Sequence, residues 1–195
     1  MSQSWTLTRT SSPLSGLAVS LQEAKNHLRI SGPSQDDELE LLIEASTERL
    51  ERDINRGIMQ ATWQQSHYCF PTCGDKILLQ MGASTNVSSI TYVDSDGVTQ
   101  TLDPSEYEFS AARGCVFNLS GTWPEVEGQS TRDKVFINFT CGVADEGCVP
   151  RLFKQAVLLE TGRAYFDPAQ ENGVNTNDGK SYEMIVRKLL RSSYP

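Results

Sequence analysis

The sequence predicts an α+β fold: a small helical bundle of N-terminal and C-terminal helices, an inserted, mostly antiparallel β region, and a C-terminal tail helix. Three observations carry this reading. Residues 17–57 repeat apolar side chains at three- and four-residue steps, residues 61–141 switch to alternation rich in aromatic and β-branched residues, and residues 149–192 return to helical spacing. At 195 residues the chain has the length of one domain, and it is read as a single domain over 1–195.

The first helix announces itself in "VSLQEAKNHLRI", residues 19–30. Ser20 stands three residues before Glu23, the spacing of a capping box, in which the serine oxygen takes the Glu23 amide and the carboxylate reaches back to the Ser20 amide. Val19 and Ala24 occupy the positions of a hydrophobic staple. After the turn "SGPS", Leu39, Leu42, Ile43, Ser46, Leu50 and Ile54 form one face of a long amphipathic helix. Asp36, Asp37 and Glu38 crowd its first turn, where the helix dipole favours acids. Arg49, Arg52 and Arg56 lie near its end, and Gly57 suits a left-handed cap. Glu40, Glu44 and Glu48 stand opposite the apolar stripe with no histidine beside them, which reads as a solvated face.

From Ala61 the pattern changes. "ATWQQSHYCF" alternates, "DKILLQ" is a short apolar run, and "VSSITYVDSDGVTQTL" reads as a hairpin with Gly97 at the turn position that needs a positive φ. Asp94 and Asp96 in that turn resemble part of a calcium loop, but no glutamate closes a twelve-residue pattern, so they read as turn formers. "YEFS", "GCVFNL" and "KVFINFTCG" are further strands, with Val135, Ile137 and Phe139 on one face. The expectation is one sheet of five or six strands.

The third part opens with Pro150 at the first position of a helix over 149–166, striped by Leu152, Ala156, Leu159 and Arg163 and flanked by Phe153 and Val157. Residues 167–180, "DPAQENGVNTNDGK", are almost without apolar side chains and predict a flexible loop. A closing helix over 181–192 is amphipathic through Tyr182, Ile185, Val186 and Leu189. Lys180, Arg187, Lys188 and Arg191 against Glu183 give residues 180–195 a charge of +3, which leaves −11 for the rest of a chain whose total is −8.

That balance, with a pI near 4.8, argues against a surface built to grip phosphates. No apolar run approaches the roughly 20 residues of a membrane span, and the opening residues lack the pattern of a signal peptide. Five cysteines, Cys69, Cys73, Cys115, Cys141 and Cys148, read as reduced thiols; their spacings are not those of a zinc site, and only His27 and His67 could complete one. Phosphate loops, dinucleotide fingerprints, nucleophile elbows and zinc-protease motifs are absent. No catalytic residue, metal or cofactor is expected; a carboxylate hydrolase is the remote alternative.

The order of these elements carries a resemblance. Val19 to Arg29, Asp36-Asp37 opening a long helix, Arg56-Gly57 followed by Trp63 in a strand, and Val149-Pro150 opening the next helix follow one pattern. The chain resembles, over residues 17 to 166, the head–tail connector (adaptor) proteins of long-tailed bacteriophages and gene transfer agents. That resemblance implies a virion protein of the neck, assembled in the host cytoplasm and forming a ring of twelve copies under the portal. Such a ring extends the DNA channel and offers a platform to a stopper or tail-completion protein, and its C-terminal segment reaches into the portal. On this basis Tyr182, Ile185, Val186, Arg187, Lys188, Leu189 and Arg191 are the expected portal-binding residues. The large β region and the 14-residue polar loop before the last helix depart from the family pattern. A tail-terminator or stopper-type ring is the alternative.

An acidic body lets duplex slide past without phosphate contacts, and a basic amphipathic helix on a tether suits docking into a partner, with packing onto its own subunit as the competing use of its apolar face. A closed ring also needs two different surfaces on each subunit. The charged face of the long helix and the strand edges are both candidates for them.

Overall fold

The computed structural model describes residues 5–11, 16–71, 76–126, 132–166 and 177–192, with the side chains of 177–179 and 191–192 excepted. The chain divides into two compact units: Met1–Leu14 with Gln60–Gly142, and Ser15–Met59 with Val143–Pro195.

The second unit is helical. Its elements are α1 (Leu21–Leu28), α2 (Asp36–Ile54), α3 (Arg151–Phe166) and α4 (Asn177–Ser192). The Ser20–Glu23 capping box is present in both directions, with the Glu23 amide donating to Ser20 Oγ at 3.3 Å and the Ser20 amide to Glu23 Oε2 at 3.1 Å. Val19 and Ala24 are fully buried. Arg29 ends α1 in the left-handed conformation, φ 59°. α2 carries its three acids in the first turn and buries Leu39, Ile43, Ser46, Leu50 and Ile54. Its left-handed cap is Asn55, φ 49°, rather than Gly57. The helix stops two residues earlier because the buried Glu51 carboxylate takes the amides of Ile58 and Met59, at 2.7 and 3.3 Å, and turns the chain out. Asn tolerates that conformation better than most non-glycine residues.

α3 starts one residue after Pro150, whose carbonyl accepts the amides of Phe153 and Lys154. α4 begins at Asn177, so the last four residues of the expected loop are helical; the remainder of that loop lies outside the described residues. The core of this unit joins Val19, Ile43, Leu50, Ala156, Val157, Tyr182 and Leu189. At roughly 25 cal/mol per Å² of apolar surface removed from water, burial of this kind is what makes short helices persist.

The β unit contains two sheets where the sequence suggested one. Eight strands are present among the described residues: β1 (Trp5–Arg9), β2 (Ala61–His67), β3 (Lys76–Leu78), β4 (Ser84–Val93), β5 (Thr99–Thr101), β6 (Tyr107–Ser110), β7 (Cys115–Asn118) and β8 (Val135–Cys141). They form a five-stranded sheet in the order β1-β2-β8-β4-β5 and a three-stranded sheet in the order β3-β7-β6, with every pair antiparallel. β1 was not expected. Its residues Trp5, Leu7 and Arg9 stand opposite His67, Gln65 and Trp63, and Arg9 lies over the Trp63 ring.

The register sorts the large sheet into two faces. Trp63, Val135, Ile137, Phe139, Val87 and Ile90 share the buried face. Thr6, Thr8, Thr62, Gln64, Asn138, Thr140, Ser89 and Thr91 share the other, which carries hydroxyls and amides. Two register shifts in β4 mark bulges against β8. The hairpin between β4 and β5 is as the sequence indicated, with Gly97 at φ 78°.

Candidate functional site

α4 is the element the sequence singles out, and the structure divides its residues into two sets. Tyr182 and Leu189 are buried in the core of their own unit, and Ile185 and Val186 pack against the same cluster. Arg187 and Lys188 are exposed, as is Met184 at 69%. Arg187 reaches Glu183 one turn back at 3.6 Å, an ion pair in solvent that contributes little. The backbone of Arg191 continues the helix, and its side chain lies outside the described residues. The apolar stripe thus does two things at once: it fixes α4 to its unit and turns the basic residues outward.

A cleft of about 430 Å³ marks where α4 meets α2 and α3. Its floor is Glu160, only 3% exposed, clamped by two arginines. Arg49 Nη1 donates to Glu160 Oε1 at 2.8 Å, while Arg163 reaches both oxygens, Nη2 to Oε1 at 2.5 Å and Nε to Oε2 at 2.9 Å. Arg49 also lies 5.8 Å above the Tyr182 ring, and the Tyr182 hydroxyl donates to Asp53 Oδ2 at 2.7 Å. Burial, with the Asp53 carboxylate beside it, pushes the Tyr182 phenol far above its ordinary value. Among the described residues of its lining every carboxylate has a partner: Glu160 its two arginines, Asp53 the Tyr182 hydroxyl and Glu183 the Arg187 guanidinium. Its chemistry is that of a clamp: bidentate Arg163 fixes Glu160 within α3, Arg49 ties that carboxylate to α2, and the Tyr182–Asp53 bond ties α4 to α2.

A second node explains why so short a helix is capped so carefully. Lys154 Nζ donates to Glu23 Oε2 at 3.1 Å and to Glu146 Oε1 at 2.9 Å, and the Ser20 amide also reaches Glu146 Oε1 at 3.1 Å. The capping carboxylate of α1 is therefore also the anchor of α3. Burial opposes the charge on Glu23, but the Ser20 amide and the Lys154 ammonium outweigh it and hold the carboxyl below its usual value. Burial likewise opposes the charge on Lys154, and its two carboxylates outweigh it and raise its value.

In the β unit the buried polar groups are neutral. Gln65 Nε2 contacts His67 Nε2 at 2.8 Å and donates to the Leu78 carbonyl at 2.9 Å, while its Oε1 accepts the Gln80 amide at 2.8 Å. One amide side chain thereby ties β2 to the β3 segment. Burial depresses the His67 pKa more than the nearby Asp133 raises it. On the outer face a ladder runs from Gln64 Nε2 to Asn138 Oδ1 and from Asn138 Nδ2 to Ser89 Oγ, each at 3.0 Å.

The remaining sequence candidates scatter. Glu40, Glu44 and Glu48 are exposed along α2. Asp94 accepts the amides of Asp96 and Val98 and the Gln100 side chain, at 3.0, 2.9 and 2.8 Å, and these bonds, the Gln100 side chain first, lower its pKa. Its oxygens are engaged in the turn itself. Cys115 and Cys141 are buried, Cys69 and Cys148 exposed, and Cys73 lies outside the described residues. Among the described residues no group of three or more His, Cys, Asp or Glu side chains is gathered to hold a metal, and no helix is long and apolar enough to cross a membrane.

A sequence search of curated proteins finds no match. Three structures of similar fold each cover 94% of this chain and 94% of their own, at 19% identity. They are chains in the neck of an empty GTA particle computed with C6 symmetry (TM-score 0.75), in the virion of a native gene transfer agent particle (0.72), and in the neck of a native GTA particle computed with C12 symmetry (0.71). Residues 18–103, from the capped first helix through α2 and on to the end of the β4–β5 hairpin, match the phage gp6-like head-tail connector protein family.

Proposed function

We propose that this chain is a structural, non-enzymatic neck protein of a tailed phage or gene transfer agent: a head–tail connector. It forms a ring, with twelve copies as the expected number, under the portal. There it extends the DNA channel and offers a platform to a stopper or tail-completion protein. The observation that carries this reading is the similarity of fold along almost the whole chain to chains in GTA necks, joined to the family match over residues 18–103. The clamps at Glu160 and Lys154 support it, because a subunit of a structural ring needs a rigid frame more than a reactive group. So does the acidic balance of the chain, since a like-charged wall does not hold DNA as it passes.

Within this reading Arg187 and Lys188, with Met184 beside them, are the portal-facing part of α4. Tyr182, Ile185, Val186 and Leu189 act by holding the helix. Deleting α4 would therefore unfold the frame as well as remove a contact. The better test is Arg187→Glu with Lys188→Glu, two exposed changes expected to leave stability within about 0.5 kcal/mol. Native mass spectrometry of the protein mixed with its portal protein should show a portal complex carrying a dozen or so copies, and the double variant should lose it. A protein that ignores the portal altogether would overturn the connector reading. A variant that still binds the portal but no longer joins the tail would favour the tail-terminator reading.

A further inference from the structure

The five-stranded sheet ends in two open strands among the described residues, β1 on one side and β5 on the other. An open strand edge is a row of backbone donors and acceptors, and what it recognises is another strand. Edges that must stay solitary usually carry a charge. In the small sheet both edges do, with exposed Lys76 on β3 and exposed Glu108 on β6. On the large sheet β5 carries none, and β1 carries only Arg9 at its end, whose guanidinium lies over the Trp63 ring of its own sheet.

The hydrogen bonds show which backbone groups those edges present. The Thr10 amide donates inward to the Thr62 carbonyl at 2.9 Å, so by alternation Thr6 and Thr8 bond inward, and Trp5 and Leu7 present their amides and carbonyls outward. On β5, the Leu102 amide donates to the Ile90 carbonyl at 2.8 Å, and the Val98 carbonyl accepts the Asp94 amide at 2.9 Å. Thr99 and Thr101 therefore present theirs outward.

Direction completes the match. Four successive antiparallel pairings make β1 and β5 run the same way. Copies related by a small rotation about a common axis keep that direction, so β5 of one copy meets β1 of the next in parallel. In a parallel pair, an outward-facing residue bonds to the two residues flanking its opposite number. With Trp5 beside Val98 and Leu7 beside Gln100, Leu7 bonds to Thr99 and Thr101, the residues that face out. The same register keeps the buried sides of both sheets continuous, and it covers Trp5 and Val98, which are 44% and 53% exposed in the single chain.

We propose that β5 of one copy pairs with β1 of the next, joining the large sheets of neighbouring subunits into one continuous belt. The contact uses two different edges, so it propagates head to tail and can close. Copies that each carry −8 repel over most of their surface, and two edges without an acidic side chain are where they can meet at least cost. This inference rests on the ring reading above and names the contact that would build the ring.

Thr99→Pro with Thr101→Pro removes the two outward donors of β5 and leaves the inward hairpin bonds in place. By native mass spectrometry, alone and with the portal protein, the wild type should give a ring and the double variant a 21.6 kDa monomer with an unchanged urea midpoint. Should the prolines disturb folding, Trp5→Cys with Val98→Cys in one chain provides an independent reading. Mild oxidation should then give a ladder of covalent oligomers, absent from either single variant. A proline variant that forms rings at wild-type stoichiometry, or a cysteine pair that gives no ladder, would overturn the belt while the ring stands. A wild type that stays monomeric with and without the portal protein would overturn both.

Discussion

The two units fix their polar interiors by opposite means. The helical unit encloses ions: Glu160 between Arg49 and Arg163, Glu51 under two amides, and half-buried Lys154 between Glu23 and Glu146. In the β unit the fully buried polar groups are neutral, as in Gln65 against His67 and the Leu78 carbonyl, and ions such as Arg9 and Asp133 are only half-buried. Helices satisfy their own backbones, so side chains are free to bind one helix to another, and charge-assisted bonds do this with the most directional force. Strands satisfy one another, and what remains for side chains is to tie sheet to sheet without stranding a charge in an apolar layer. The helical unit is therefore built to keep its shape. The large sheet of the β unit offers two edges without an acidic side chain and an outer face of hydroxyls and amides.

The sharpest way to break this contrast is at Glu160. Glu160→Gln leaves Arg163 and the part-exposed Arg49 facing a neutral amide, and with solvent screening Arg49 the expected loss is about 2 kcal/mol in urea unfolding. Most of that loss belongs to the stranded cations. Adding Arg163→Met to the variant should therefore restore part of the stability, a coupling that a double-mutant cycle measures directly. If the two changes simply add, the clamp is not a unit and the contrast with the β region weakens.

Acid separates the two regions by window. The folded-state pKa of His67 lies below its ordinary 6.5 because burial resists the imidazolium. Above 6.5 folded and unfolded chains are both neutral there. As pH falls below 6.5 the unfolded chain takes up a proton that the folded chain resists, and stability drops until the folded value is passed. Glu23 works in a lower window. Its carboxyl is held below 4.5, so its contribution persists above that value and fades only as pH falls through the folded one. Hydrogen exchange between pH 7 and 5 should therefore show protection falling first in β2 and β8, with α1 and α3 unchanged. His67→Gln should flatten the fall, and equal loss in both units would contradict the assignment.

Periodicity explains how much of this was legible beforehand. The capping box, the long helix and the hairpin each carry a local signal within a few residues, and each appears where its signal lies. β1 also carries one, since Trp5, Leu7 and Arg9 alternate with threonines. Five residues alone do not stabilise a strand, however, and its partner lies more than fifty positions away. The left-handed cap fell to Asn55 because a buried glutamate captures the following amides, a tertiary event that no cap rule contains. The division into two sheets depends on Gln65 and on which strands find each other, and that too is non-local. The clamp left one trace: Arg163 sits on the same helical stripe as Ala156 and Leu159, where a cation needs a buried partner. Glu160 is that partner, three residues away.

The smallest effect tests the finest point of the contrast. Ser20→Ala removes the hydroxyl that accepts the Glu23 amide and donates to Glu23 Oε2 at 3.2 Å, while the Ser20 amide keeps both of its carboxylates, Glu23 and Glu146. N-cap substitutions of this kind cost about 0.5–2 kcal/mol, and the expected loss here lies at the low end, about 0.5 kcal/mol. Lys154→Met should cost more, since it leaves two carboxylates close together without their cation. The order of the two losses decides which contact matters. If the serine costs more than the lysine, α1 is held by its own cap and would keep its place without α3. If the lysine costs more, the capping box is the near end of a tie that runs across the unit, and the cap serves the frame rather than the helix.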